Sequence, residues 1–352
     1  MHRVSRFAVA GAAATALAVS LAACGGKSTD SSSSSTDDSK PKGLAIAYDI
    51  GGKGDQSFND AAYDGMQRAM KELNIGGEDV EPSDGESDAD KIQRLTSLAK
   101  QGYNPVIGVG FAYAPAVKDV AAKFPETTFG IVDDSTVEAN NVADLVFAEE
   151  EGSYLAGVAA AKTTETKTVG FVGGVETPLI KKFQAGFEQG VKDTDPSVKV
   201  LSQYLTQPPN FDGFSKPDLG KAAANGMLDR KADVIYHAAG LAGQGTIEAA
   251  AGKKKWAIGV DSDQYNQKAL AKYKDYILTS VTKGVSDAVF NLAKSVVDGD
   301  PQSGVIRADL KSGGVALAES NPAFMEMTEV QEAVKKAEEG IKDGSIKVKT
   351  TP

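Results

Sequence analysis

From Gly43 onward, short apolar runs alternate with longer stretches whose apolar residues recur every three or four positions. The first kind reads as buried strands, the second as helices with one apolar face. Leu44–Tyr48 is such a strand. A helix is expected over Asp60–Leu73, with Asn59 or Asp60 as its N-cap. Val80 is expected to begin a second strand. Asp88–Gln101 then reads as a helix, Pro105–Val109 as a strand, Ala114–Phe124 as a helix and Thr128–Val132 as a strand. The rhythm restarts with helices over Glu149–Lys162, Leu179–Lys192, Pro217–Asp229 and Gln244–Ala251. Strands interleave them over Thr168–Val172, Val198–Leu205, Val234–His237 and Trp256–Val260. Later elements fall over Tyr276–Val281, Ser286–Val297 and Val315–Leu317. Strand and helix in turn predict parallel sheets covered by helices on both faces. Two successive units of this kind predict an α/β fold of two three-layer α/β/α lobes with a cleft between them. Ligands of open parallel sheets sit beyond the carboxyl ends of strands, so the residues just after each strand are the ones to watch.

The chain ahead of this body follows other rules. His2, Arg3 and Arg6 precede an uncharged apolar run, Phe7–Ala23, which closes on Leu21-Ala22-Ala23-Cys24. Basic start, apolar run and small residues in that order predict an export leader over 1–23. The closing four residues resemble the lipobox of bacterial lipoproteins, in which the cysteine thiol is acylated and becomes the new N-terminus. Cys24 is the only cysteine of 352 residues, so no internal disulfide can form, and with two histidines there is no zinc cage. Residues 24–42 are Ser- and Asp-rich and have no large apolar side chain, so they read as a flexible tether. Its reach is roughly 20–25 Å. No other run of about 18 apolar residues follows. Attachment is therefore expected through acyl chains at Cys24 alone, on the outer face of a bacterial cytoplasmic membrane. With Arg3 and Arg6 removed, the net charge of −10 becomes −12, which argues against nucleic-acid binding.

The strand ends are chemically rich. The first is followed by Asp49-Ile50-Gly51-Gly52-Lys53-Gly54-Asp55-Gln56-Ser57-Phe58-Asn59. Later strand ends carry Gly108-Val109-Gly110-Phe111, Asp133-Asp134, Gly173-Gly174, Gly240-Leu241-Ala242-Gly243-Gln244-Gly245 and Asp261-Ser262-Asp263. Signals for catalysis are weak. The glycine spacing from Gly240 is GxxGxG rather than the dinucleotide GxGxxG, and no GxSxG elbow or P-loop occurs. After export His237 is the single histidine. No catalytic residue, metal or cofactor is expected, and a nucleoside-processing enzyme is the least favoured reading.

Taken in order, the run Asp49-x-Gly51-Gly52-x3-Gln56-Ser57-Phe58-Asn59, the strand ends Val106–Phe111 and Phe129–Asp133, and Val169–Gly174 resemble the basic membrane protein family. So do Phe183–Phe187, Ala232–Ile235, Ala238-Ala239-Gly240-x2-Gly243-x-Gly245, Ile258–Gln264 and Thr279-Ser280-Val281-x-Lys283. These are lipoprotein nucleoside-binding components of ABC transporters, and the similarity covers nearly all of the chain beyond the tether. It implies a type I periplasmic-binding-protein fold. The lobes would be 43–145 plus 282–305 and 146–281 plus 306–352. It further implies a monomeric receptor that holds a purine nucleoside (inosine, guanosine or adenosine-like) and delivers it to permease and ATPase subunits. A sugar receptor of the same fold and a sensory lipoprotein stay open as alternatives.

The resemblance also implies a site. Phe58 matches an aromatic that stacks on the base, with Asp49, Ser57 and Asn59 as polar groups around it. Asp133 matches a carboxylate on the purine edge. Phe214 resembles the second stacking aromatic, and Gly240, Asp261 and Lys283 match ribose-binding groups. At the second aromatic this chain reads Pro208-Pro209-Asn210-Phe211-Asp212-Gly213-Phe214-Ser215-Lys216-Pro217, which departs from the family's Ser-Phe-x-Asp-Pro-like run. Both Phe214 and Phe211 therefore come into question, as do Asp133 and Asp134.

Overall fold

The structure, a computed structural model, describes residues 42–83 and 85–352. The leader, Cys24 and the tether before residue 42 lie outside the described residues.

The first half runs β1 (Leu44–Ala47), α1 (Phe58–Glu72), β2 (Gly77–Val80), α2 (Asp88–Lys100), β3 (Val106–Gly108), α3 (Ala114–Ala121), β4 (Phe129–Val132) and β5 (Val142–Phe147). The second runs α4 (Glu149–Thr163), β6 (Thr168–Val175), α5 (Pro178–Thr194), β7 (Lys199–Thr206), α6 (Pro217–Asp229), β8 (Val234–Ala238), α7 (Gly243–Gly252), β9 (Trp256–Asp261) and β10 (Ile277–Lys283). There follow α8 (Val285–Val297), β11 (Gly304–Ala308), β12 (Val315–Leu317), α9 (Pro322–Met325) and α10 (Thr328–Lys342).

Two six-stranded sheets result, ordered β11-β5-β4-β3-β1-β2 and β12-β10-β9-β8-β6-β7. The two orders correspond strand for strand, so β4 and β9 hold equivalent places, as do β5 and β10. All neighbours are parallel except β10 and β12. The chain passes from the first sheet to the second after Phe147, returns after Lys283, and crosses again after Ala308. Helix α8 packs on α1, so residues 285–297 cover the first sheet although they follow the second in sequence. Strand β1 is buried at every position, as expected of a strand covered on both faces. Helix α4 is buried almost all round, because α5 and α10 cover it on the sides that β10 and β12 do not.

Three local expectations are corrected. Helix α1 begins at Phe58, two residues before the expected start. Its N-terminus is capped by Asp55, whose carboxylate accepts from the backbone N–H groups of Ser57 (2.9 Å), Asn59 (2.9 Å) and Asp60 (3.1 Å). Asn59 is instead buried, and its Oδ1 accepts from the Asp49 N–H at 3.1 Å. Val80 ends β2 rather than beginning it. Strand β5 was not foreseen, because Asp144 interrupts its apolar run. That residue is nonetheless 2% exposed, and burial pushes its carboxyl up to about 6.

Candidate functional site

A cavity lies between the two sheets, at the carboxyl ends of their strands. Its walls include Asp49, Asp55, Phe58, Asn59, Gly110, Phe111 and Asp133 from the first lobe. Leu179, Ile180, Phe183, Phe214, Gly240, Asp261 and Lys283 line it from the second. Eight of the nine ligand-binding residues expected from the sequence thus face one space. The ninth, Ser57, stands one bond behind it: its hydroxyl donates to Asp261 Oδ2 across the cleft at 2.6 Å.

Of each ambiguous pair, one member lines the cavity. Phe214 lines the cavity, while Phe211 packs against Phe111 with ring centroids 6.2 Å apart. Asp133 lines the cavity, while Asp134 accepts from the N–H and hydroxyl of Thr136 within its own turn.

Lys283 is the centre of the charged wall. Its ammonium donates to Asp133 Oδ2 at 2.6 Å and lies 3.6 Å from Asp261 Oδ1 and 3.9 Å from Glu149 Oε1. The rings of Phe58, Phe147 and Phe183 surround it at 4.7, 5.4 and 5.6 Å. Burial works against this ammonium, but the three carboxylates outweigh burial and hold its pKa above the usual lysine range. Burial raises Asp133, against the pull of Lys283, and pushes Glu149 up to about 7. Lys182 supplies a second cation, 3.3 Å from Glu149 Oε2. Asp133 Oδ1 finds no hydrogen-bond partner among the described residues, which leaves a buried acceptor open to a donor from a ligand. Asp133, expected at a base edge, therefore shares one ion cluster with Asp261 and Lys283.

The equivalence of the lobes explains the pairing. Asp133 follows β4 and Asp261 ends the equivalent β9. Both take left-handed backbone conformations, φ 68° and 63°. Asp tolerates that region better than most residues, at a cost of about 1 kcal/mol. The turn aims both carboxylates back at the opposite lobe.

At the other wall, burial pushes Asp49 up to about 7, with the N–H of Ile50 pulling against it. Gly110, at φ 100°, allows this carboxylate its place, since a Cβ there would lie 2.0 Å from Asp49 Oδ2. His237 is not part of the wall. It is fully buried, its Nε2 meets Gln264 Oε1 at 3.0 Å, and burial lowers its pKa to about 4, so it stays neutral.

Sequence reasoning missed Glu149, Asp55 and Phe183 as members of the site. Glu149 opens the run Glu149-Glu150-Glu151, which reads as acids favourable to a helix N-terminus. Its 1% exposure is visible only in the fold. Among the described residues no cluster fit for a metal ion occurs, and no helix is long and apolar enough to cross a membrane.

Comparison with known proteins gives a consistent result. The family model described as ABC transporter substrate-binding protein PnrA-like matches residues 44–351. The CD4+ T-cell-stimulating antigen of Listeria innocua is 35% identical over 360 residues, covering 98% of this chain and 99% of that protein. The ABC transporter nucleoside-binding protein BmpA of Lactococcus lactis is 34% identical, covering 95% and 97%. Among solved structures, an ABC transporter solute-binding protein from Aeropyrum pernix superposes with a TM-score of 0.77 at 27% identity, covering 88% of this chain and 94% of that one.

Proposed function

The chain belongs to the PnrA-like family of ABC transporter substrate-binding proteins, with its type I periplasmic-binding-protein fold, and on that premise we propose that it captures purine nucleosides. The observation that carries this reading is the pairing, in one cavity, of two phenylalanines from opposite lobes with a cluster of carboxylates around one ammonium. Phe58 and Phe214 offer faces for a flat base, each stack being worth roughly 1–3 kcal/mol by analogy with base–aromatic stacking. Asp133, Asp261 and Lys283 offer charge-assisted hydrogen bonds to vicinal ribose hydroxyls. Asp49 and Asn59 remain as groups for the base edge. Gly240, at φ 52°, brings backbone close to the ligand. The name of the Lactococcus relative supports the nucleoside assignment.

Delivery to permease and ATPase subunits is part of the same proposal, supported by the family match. Hinging at the three crossings, after Phe147, Lys283 and Ala308, is the motion proposed to accompany it. The receptor binds and releases, and no chemical step is assigned to it. Calorimetry with inosine, guanosine and adenosine should give saturable one-site binding, and small-angle scattering should show the saturated form as more compact than the free one. Tight binding of free ribose or another sugar, with no binding of nucleosides, would overturn the assignment in favour of a sugar receptor.

Anchoring through lipid at Cys24 is proposed on the leader pattern alone. Cys24→Ser should move the protein to the soluble or secreted fraction with its nucleoside affinity unchanged. Retention on membranes after a high-salt wash would count against the anchor.

A further inference from the structure

Behind the cavity, one fully buried side chain joins the lobes without touching the ligand space. Gln264 follows β9 and is 0% exposed. Its Oε1 accepts from the Val260 N–H at 3.2 Å and faces His237 Nε2 at 3.0 Å. Its Nε2 donates to the Gln56 carbonyl of the opposite lobe at 3.0 Å, and its own N–H is held by Ser280 Oγ at 3.1 Å. A backbone N–H can only donate, so Val260 fixes which end of the amide is oxygen. His237 then donates through Nε2, and its Nδ1 is left without a partner among the described residues. Room for this arrangement is built in. A Cβ on Gly259 would lie 2.4 Å from Gln264 Oε1, and one on Gly243 would lie 2.0 Å from His237 Nδ1.

The carbonyl that Gln264 grips belongs to the segment carrying the first lobe's site. Gln56 precedes Ser57, whose hydroxyl meets Asp261, and Phe58, which lines the cavity. Ser262 Oγ donates to the Ser57 carbonyl at 2.9 Å, and Gln244 Nε2 reaches the Asp55 carbonyl at 3.3 Å. Of the three side chains that grip this segment's carbonyls from the second lobe, Gln264 alone is fully buried.

We propose that Gln264, oriented by Val260 and His237, is a positioning residue of the ligand site. It fixes the 55–58 segment, and with it Phe58 and Ser57, against the second lobe. The inference rests on the nucleoside reading only for its probe, not for its geometry.

Gln264→Glu separates this role from simple packing. The carboxylate keeps both second-lobe donors, Val260 N–H and His237, and changes shape little. When ionised, its other oxygen confronts the Gln56 carbonyl, acceptor against acceptor; when protonated, that oxygen donates to the carbonyl instead, so the defect should appear at high pH and fade as pH falls. A buried polar group left unpaired implies roughly 5- to 150-fold weaker binding. With inosine as the probe, the loss should fall in the release rate measured by stopped flow. A ligand-independent readout is hydrogen exchange of the free protein. Amides of residues 55–60 should exchange faster in the variant, while those of β9 stay as they were. If unmutated protein fails to bind inosine, the functional reading falls and hydrogen exchange still decides this one. Unchanged exchange at 55–60 together with unchanged inosine release would overturn the proposal. A Gln264→Glu protein whose β9 exchange rises as much as that of 55–60 would also overturn it, by reducing Gln264 to core packing.

Discussion

Lys283→Met is expected to remove detectable nucleoside binding and to lower folding stability by about 3–5 kcal/mol near neutral pH, the usual loss when one partner of a buried ion pair is deleted. The size follows from what surrounds the ammonium. Asp133, Asp261 and Glu149 all lie within 3.9 Å of it, and the side chains of the four residues are between 1% and 8% exposed. Methionine fills the aliphatic space and still packs among Phe58, Phe147 and Phe183, so the effect isolates charge from volume. The pH dependence has a definite sign. Burial already holds Asp133 above the usual carboxylate range and Glu149 at about 7. A carboxyl whose folded pKa is raised binds protons more tightly when folded. Its folded state is therefore favoured at low pH and loses ground as pH rises from about 4 toward the folded value. With Lys283 gone, nothing on β10 pulls these groups back down. The deficit relative to the unmutated protein should be small near pH 5 and largest above pH 7. Urea denaturation at a series of pH values measures it. A deficit independent of pH would mean that the lysine acts through packing, not charge. Lys283→Met combined with Asp133→Asn should recover part of the loss, because the pair interacts directly.

Phe58→Ala and Asp261→Ala should both weaken nucleoside binding by about 5- to 150-fold, yet with different patterns across ligands. The alanine at 58 removes one face of the proposed base sandwich, worth roughly 1–3 kcal/mol. It should weaken inosine, guanosine and adenosine alike, with or without ribose hydroxyls. The alanine at 261 removes an acceptor for those hydroxyls, and leaving them buried with fewer partners costs about 1–3 kcal/mol. It should weaken ribonucleosides more than 2′,3′-dideoxynucleosides. Since the two magnitudes overlap, only the pattern assigns the roles. Equal losses for ribo- and dideoxy-ligands in Asp261→Ala would sink the ribose assignment. In that case the carboxylate's contact with Ser57 across the cleft, at 2.6 Å, would become its main contribution.

Much of this architecture was legible in order and spacing. Alternating strand and helix patterns fixed the α/β class, and α6 and β12 fall on their expected residues, Pro217–Asp229 and Val315–Leu317. In three of the places where the reading slipped, a polar residue was doing something nonlocal. Asp144 hid β5 because a carboxylate inside a strand looks like a break. Asp55 hid the true start of α1 because a cap two residues ahead of the N-cap position leaves no local signature. Glu149 was read only as the first residue of a helix, because its partners, Lys182 and Lys283, lie on two other elements of the fold.

By itself, the sequence determined which residues stand at strand ends. A parallel strand's carboxyl end is set by local pattern, and that is where parallel sheets present their ligand-facing groups. Asp49, the pair Asp133-Asp134, Gly240 and Asp261 were singled out in this way, whereas Lys283 came from the family resemblance. Only the tertiary structure decided how they combine. It put Phe214 on the cavity wall and Phe211 against Phe111. It also gathered Asp133 from one sheet with Asp261 and Lys283 from the other into a single ion cluster. The physical reason is that Coulomb interaction depends on distance through space and on burial. Asp133 and Lys283 stand 150 positions apart in sequence and 2.6 Å apart across the cleft, a separation that no local pattern encodes.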